Sequence, residues 1–346
     1  MSNNRIIAID VGGGTQDILI YEEDNAIENS VKMILPSQTR IVANRIDRLT
    51  KQRKAIFLEG NLMGGGASGR AVKNHISAGL KVYATELAAK TFHDNPAKIE
   101  KMGIEIVIEP PEEAVSVVLA DIDLDAVKNA LACFEEELPD AFAIAVQDHG
   151  ECIDGSNRRF RFEHWQKFLQ DDGEISHLAY RNPPRYLTRM MAVKRDLPEA
   201  IVMDTCAAAI LGALSDPLIA KESREGVIVA NIGNQHTVGA LVRDKKILGL
   251  FEHHTSSLTP KKLEYYINCL LKGTLTNEEV FEDGGHGCFI RKDFSQGNEF
   301  KFISVTGPRR QMAEELGYYF AVPYGDMMLT GCFGLINAAI DSPHNQ

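Results

Sequence analysis

Residues 5–21, Arg-Ile-Ile-Ala-Ile-Asp-Val-Gly-Gly-Gly-Thr-Gln-Asp-Ile-Leu-Ile-Tyr, constrain this chain more than any other stretch. An apolar run from Ile6 to Ile9 ends in Asp10. Gly12, Gly13 and Gly14 follow, then Thr15, Asp17 and a second apolar run. Two apolar runs around turn residues read as strand, tight turn, strand. Glycines at the turn leave bare backbone N–H groups that can approach an anion. Asp10 puts a carboxylate at the strand's end, where a magnesium ion or its water shell can sit. No Gly-Lys-Ser/Thr follows, so this is not a helix-opening P-loop. An ordinary glycine-rich hairpin is the plain alternative, and the joint recurrence of Asp, Gly, Thr and Asp weighs against it.

This segment resembles the first phosphate motif of the actin, hexokinase and heat-shock-chaperone superfamily of nucleotide-binding proteins. The resemblance implies two further motifs in order. Residues 226–242 fit the second: the apolar run Val227–Ala230 reaches a turn at Gly233, and another apolar run follows. The match is imperfect. Asn231 stands where the family has an acidic residue, Asn234 and Gln235 where it has small ones, and His236 near its Ser/Thr. Asn231 hydrogen-bonds but carries no charge, which counts against a direct metal role. Phosphate can still be held there by N–H groups, Asn234 and His236.

Residues 300–317 fit the third motif. Thr306-Gly307 ends a strand, and Pro308 suits a first helical position. The resemblance implies that Gly307 lies against the nucleoside. Arg309 or Arg310 could stack on a purine face, which a planar guanidinium does well. Residues 204–212, Asp-Thr-Cys-Ala-Ala-Ala-Ile-Leu-Gly, resemble the family's first interdomain helix. Asp204 stands where the chaperone branch has the Glu of Glu-Pro-Thr-Ala-Ala-Ala, and it also suits a helix N-cap. Small residues let two helices cross closely. Residues 326–340 look like the second crossing helix, with Asp326 as its N-cap.

The whole chain is similar to a branch of the superfamily labelled pyruvate formate-lyase activating. The sequence argues against that label in its radical sense. Radical activases hold an iron–sulfur cluster on Cys-x3-Cys-x2-Cys. Here Cys133, Cys152, Cys206, Cys269, Cys288 and Cys332 stand singly.

Composition bounds the rest. A chain of 346 residues suits two domains with sizeable cores. A net charge of −11 disfavours wholesale nucleic-acid binding, and it makes ATP depend on magnesium and local N–H groups. Unpatterned cysteines fit a reducing compartment. The polar start Met1–Arg5 reads as no signal peptide. No apolar stretch approaches the ~20 residues of a membrane span. The expectation is a cytoplasmic protein with no membrane or nucleic-acid partner.

The pattern predicts helices over 40–54, to about Ala78, over 125–138 and over 260–271, and strands over 32–35, 55–58, 104–108, 141–146 and 200–203. Thr276 and Glu279 suit a capping box. Two constellations could carry substrate chemistry. Gly64–Gly69 with Arg70 and Lys73 reads as a glycine turn opening a helix, an anion site by geometry, or as a loop packed on a sheet. Asp148 and His149 follow a buried strand, where parallel sheets place reactive groups. Asp148 suits a general base and His149 a proton shuttle or phosphate ligand. The alternative reading makes them turn residues and the arginines at 158, 159 and 161 a solvated face. Trp165, Phe160 and Phe162 read as packing. His253, His254 and His286 lack the spacing of a structural zinc site.

The resulting expectation is an α/β protein of two actin-like, ribonuclease H-like domains with a nucleotide cleft between them. Residues 1–205, including the Arg-rich segment 151–198, form the first, and 206–346 the second. The resemblance implies ATP with Mg2+ and an ATPase or small-molecule kinase. The alternatives are an ATP-dependent switch for a partner enzyme and a binding-only protein. Asp10 would organise the metal; Gly12, Gly13, Gly14, Thr15, Gly233, Asn234 and His236 would line the phosphates, and Asp17 would position water or hold the hairpin turn. Gly307 and Arg309 would frame adenosine, and Asp148, His149 or Asp204 would serve the attacking group. The phosphate acceptor, any protein partner and the oligomeric state stay open.

Overall fold

The computed structural model describes residues 5–294 and 300–341; the polar start Met1–Asn4 lies outside the described residues. The strands of the first half are β1 (Arg5–Val11), β2 (Thr15–Glu22), β3 (Val31–Pro36), β4 (Ala55–Gly60), β5 (Val82–Ala84), β6 (Ile104–Ile106), β7 (Ala114–Leu119), β8 (Ala141–Val146), β9 (Ala179–Tyr180) and β10 (Ile201–Asp204). The second half adds β11 (Val227–Ile232), β12 (His236–Arg243), β13 (Lys246–His254), β14 (Gly287–Ile290), β15 (Phe302–Thr306) and β16 (Tyr319–Phe320).

These strands form two six-stranded sheets, β3-β2-β1-β8-β10-β9 and β14-β13-β12-β11-β15-β16. Within them the runs β3-β2-β1-β8-β10 and β13-β12-β11-β15-β16 have the same order and the same directions: three antiparallel strands, then two parallel ones. This repeated unit is the ribonuclease H-like plan, and two copies of it make the fold actin-like. The apolar runs of β1, β8 and β11 reflect burial on both faces. Ile7 and Ile9 enter one core, whereas Ala8 enters another with the helices.

Two helices tie the halves together. The helix Thr205–Ala213 follows the first sheet and packs on β11; the helix Thr330–Asp341 follows the second and packs on β1 and β8. They cross backbone to backbone. A Cβ on Gly212 would collide with the carbonyl of Thr330, and one on Gly334 with the carbonyl of Ala208. Each glycine thus sits over the residue four before the other's glycine. The small residues read from sequence serve this crossing.

The sequence expectations differ from the structure in four places. The helix expected over 125–138 ends at Ala132, because Glu135 takes φ +59° and turns the chain out of the helix, which leaves Phe134 exposed. A third sheet, β6-β5-β4-β7, all parallel, is inserted between β3 and β8 and has its own core around Ile56, Leu58, Val72 and Leu119. The segment after Gly307 forms a 3-10 helix, Arg310–Leu316: Pro308 and Arg309 stay outside it, the Arg309 N–H is tied to the Ile232 carbonyl, and the first turns close on carbonyls three residues back. Asp326 accepts from the N–H of Met328, and the helix begins only at Thr330. Elsewhere caps fall where expected: Asp204, Thr259 and Thr276 each accept an N–H at a helix start. No helix among the described residues is long and apolar enough to cross a membrane.

Candidate functional site

The site lies where the two equivalent hairpins meet. β1 and β2 join at Gly12–Gly14, and β11 and β12 join at Gly233–Gln235. In each, the first glycine's N–H donates to the carbonyl three residues on: Gly12 to Thr15 and Gly233 to His236, both at 2.9 Å. A Cβ on Gly13 would collide with the Gln235 side chain, and one on Gly14 with the Asn234 amide. Glycine alone permits that approach. The N–H groups of Gly13, Gly14, Asn234 and Gln235 donate to no backbone carbonyl among the described residues. Clustered unpaired N–H groups form an anion-binding concavity.

The glycine turn Gly64–Gly66 joins the same place. A Cβ on Gly66 would lie 2.8 Å from Gln235 Nε2, and one on Gly64 would lie 2.7 Å from an Arg189 nitrogen. All three turns line one cavity of about 380 Å³, together with Lys90, Asp148, His149 and Asn157. Sequence separated Gly64–Gly69 from the first hairpin; the fold brings Gly64–Gly66 together with it.

Asp10 Oδ1 accepts a hydrogen bond from Thr205 Oγ1 at 2.6 Å. Across the β1–β2 ladder Asp10 faces Asp17. Burial pushes the Asp10 pKa up to about 6, the Thr205 hydroxyl opposing it and the Asp204 charge adding to it. Burial and the charge of Asp10 push Asp17 up to about 8. Asp17 is buried beneath the helix Thr330–Asp341, where the Cys332 thiol donates to its carbonyl. Its Oδ1 has no hydrogen-bond partner among the described residues.

Asp148 and Asp204 are buried, and every carboxylate oxygen of both is engaged. Asp148 accepts the N–H of Gly150 and of Met190, each at 2.8 Å. Burial pushes its pKa up to about 6 against these bonds. Asp204 caps its helix through the Cys206 N–H and accepts both Arg161 Nη1 and Nη2, at 2.7 and 3.2 Å. Burial would raise the Asp204 pKa, but Arg161 outweighs it and holds the carboxyl below its usual value. The reading of residues 158–161 as a solvated face therefore fails for Arg161, which is only 2 % exposed. Its Nε reaches both oxygens of Glu252 at 2.9 and 2.8 Å, and Nη1 donates to the Asp148 carbonyl. Trp165 Nε1 and Gln147 Nε2 complete the shell of Glu252. A buried charge survives only when paired and hydrogen-bonded, and here one guanidinium clasps β10 to β13. Trp165 and Phe162 are buried packing, as expected.

Three histidines converge at the cavity: His149 after β8, His236 opening β12, and His286 before β14. One ring nitrogen from each lies within 4.8 Å of the others. His149 Nε2 and His286 Nε2 are 3.2 Å apart. Burial, with the Arg161 charge and the neighbouring rings, lowers the pKa of His149 and His286 well below the usual value, and burial lowers His236 to about 3. His254 packs on the rings of His236 and His286, whereas His253 turns away to Asp283 at 3.2 Å.

The third motif sits behind the second. A Cβ on Gly307 would lie 2.5 Å from Asn231 Oδ1, and the Arg309 N–H donates to the Ile232 carbonyl. Arg309 is exposed, and neither Gly307 nor Arg309 lines the cavity. Glu252, Arg161 and His286 carry no local motif. The one available signal was a charged residue inside the apolar strand Lys246–His254, which demands a buried partner.

Two copies of the ribonuclease H-like unit with facing glycine hairpins define an actin-like protein. The chain belongs to the family described as "Putative pyruvate format-lyase activating enzyme (DUF1786)", whose model matches residues 63–312. Among solved structures it is similar to a Bacteroides thetaiotaomicron protein with actin-like ATPase fold and unknown function, at 9% identity, 97% of this chain, 96% of that chain and a TM-score of 0.40. It is similar to a ROK family glucokinase from Streptomyces griseus in complex with glucose and AMPPNP, at 11% identity, 98% and 100% coverage and a TM-score of 0.38. Ethanolamine utilization protein EutJ from Carboxydothermus hydrogenoformans gives 11% identity, 97% and 90% coverage and a TM-score of 0.29. No curated protein sequence matches. The cysteines at 133, 152, 206, 269, 288 and 332 are all free.

Proposed function

We propose that this chain binds Mg·ATP between its two hairpins and acts as an ATPase or small-molecule kinase of the cytoplasm. The observation carrying this is the pair of matched glycine turns facing each other across one cavity, with N–H groups at both tips that have no partner among the described residues. The residues suit both ligands: N–H groups for a polyphosphate, and at Asp10 a hard oxygen donor for magnesium. Asn234 and Gln235 now lie across Gly13 and Gly14, so their side chains swing aside when phosphate enters.

In this reading Gly12, Gly13, Gly14 and Thr15 hold one side of the phosphates, and Gly233, Asn234 and His236 the other. Gly307 and Arg309 frame adenosine, and Asp17 holds the hairpin turn. Magnesium, when bound at Asp10, would neutralise charge on the transferring phosphoryl group. Asp148 and Asp204, whose carboxylates are taken up by backbone N–H groups and Arg161, act indirectly, holding His149 and Thr205 at the cavity wall beside the attacking water or hydroxyl. Residues 1–205 and 206–346 then act as two units closing on the nucleotide.

Calorimetry with Mg·ATP tests this. Wild type binds in a magnesium-dependent way, and Asp10→Asn loses at least about tenfold in affinity, the effect of a hydrogen bond or metal contact worth about 1.4 kcal/mol. No binding by folded wild type overturns the reading. A binding-only protein is the second reading, favoured by uncharged Asn231; binding without phosphate release, with or without added metabolites, would select it.

A further inference from the structure

We propose that His149, His236 and His286 form a divalent transition-metal centre, with zinc as its first candidate, that joins the two halves of the molecule at the cavity wall. It shares His236 and the cavity wall with the nucleotide reading, but that reading places its own metal at Asp10.

The geometry comes first. A tetrahedral zinc ion with bonds of about 2.0–2.1 Å needs ligand nitrogens about 3.3 Å apart. The His149 and His286 Nε2 atoms share a hydrogen bond at 3.2 Å, which a bound ion would replace at almost the same spacing by displacing its one proton. His236 completes the group within 4.8 Å, so a modest ring rotation brings it to the ion. That rotation breaks no hydrogen bond. Both ring nitrogens of His236 are buried without a partner among the described residues, as is Nδ1 of His286. Buried imidazole nitrogens left unpaired in a polar cluster cost free energy that a bound cation would recover.

The surroundings match a metal centre as well. The His286 N–H donates to the Glu252 carbonyl at 2.8 Å, which fixes the turn carrying the ring. Arg161 donates to the carbonyl of Asp148, the residue before His149, and clasps the Glu252 side chain. These bonds fix the backbone that carries His149 and His286 rather than the rings themselves. His149 and His236 line the cavity, so three imidazoles leave a fourth position open toward it. Three protein ligands with one open position is the arrangement of catalytic zinc sites, where the ion binds water or an anionic oxygen. Imidazoles suit zinc, iron, nickel and copper; magnesium prefers oxygen, which separates this centre from Asp10.

The test uses the full chain stripped with chelator and titrated with zinc alone by calorimetry. A parallel titration with cobalt reads the visible absorption that reports coordination. Wild type takes up about one equivalent. His236→Ala and His286→Ala each lose affinity by on the order of 100-fold or more, since outer partners alone are worth about 10–100-fold. His177→Ala, an exposed histidine, changes nothing. His236→Gln, which keeps a polar side chain, covers any failure of the alanine variants to fold. The proposal is overturned by wild type that takes up no zinc, or by binding that survives in folded His236→Ala and His286→Ala. Asp10→Asn binds zinc as wild type does, and His286→Ala, which lies outside the phosphate-holding residues, keeps Mg·ATP binding, so the failure of one reading is told apart from the failure of the other.

Discussion

The hairpin β1–β2 and the hairpin β11–β12 close with the same hydrogen bond at the same 2.9 Å, and sit at the same place in two sheets of the same order. Their side chains differ. The first presents Asp10, Asp17 and three glycines; the second presents Asn231, Asn234, Gln235 and His236. Where Asp10 faces Asp17 across the first ladder, Asn231 faces Val238 across the second. The first tip is bare backbone beside paired carboxylates, and suits a polyphosphate and a hard cation. The second carries amides and an imidazole, and its Asn234 and Gln235 fill the space that the first tip's glycines leave. Duplication has kept the backbone, because the turn geometry sets the sheet edge, while the chemistry has separated.

Arg161 is the strongest way to break this comparison, because it holds the two units in register. It pairs Asp204 of β10 with Glu252 of β13, both buried. Arg161→Ala leaves two carboxylates without their cation and should cost about 3–5 kcal/mol in denaturant unfolding. A loss below about 1 kcal/mol would mean that the crossing helices alone hold the hairpins face to face.

The crossing itself tests whether the two units are equivalent. Gly212 and Gly334 each rest on a carbonyl of the opposite helix, so a methyl group has nowhere to go. Gly212→Ala and Gly334→Ala should each destabilise by about 2–3 kcal/mol, and by similar amounts. If one is tolerated and the other not, the pseudo-symmetry ends at the hairpins and does not extend to the helices.

The repeated unit was legible because its central strands are short apolar runs ending in glycine turns, and because the motifs fall in order. Asp204 as an N-cap and the Gly212 crossing were legible from local residue types. The inserted sheet was legible only in part: strands were expected at β4 and β6, but Val82–Ala84 is three residues, too short for a period to emerge, and Ala114–Leu119 was not read, so nothing in the sequence joined the four into a separate sheet. The Arg161 clasp was not legible, since its partners Asp204 and Glu252 lie 43 and 91 residues away. The histidine group draws on positions 149, 236 and 286, where spacing carries no signal and only the fold creates proximity. Asp148 followed a strand as expected, but its carboxylate turned inward to the N–H groups of Gly150 and Met190.

The different chemistries of the two hairpins should appear as opposite pH limbs of stability. Asp17 has a folded pKa of about 8, above the usual carboxylate value of 3.8. The folded state therefore holds a proton that the unfolded state releases, and stability falls as pH rises from about 4 toward 8. His236 has a folded pKa of about 3, below its usual 6.5. Here the unfolded state takes up the proton, and stability falls as pH drops from about 6.5 toward 3. Asp17→Asn should weaken the alkaline limb, which Asp10 and Asp148 share, and His236→Asn the acid limb, which His149 and His286 share. Each gain should be of order 1–2 kcal/mol, kept below the full linkage value by relaxation beside the cavity. The measurement is thermal unfolding of wild type and both variants at pH 5, 6.5 and 8, with chelator present. Added zinc should steepen the loss on the acid side, because protons compete with the metal for His236, and leave the Asp17 limb unmoved. Parallel changes in both limbs would mean that the two tips titrate as one site, and the separation of chemistries would not hold.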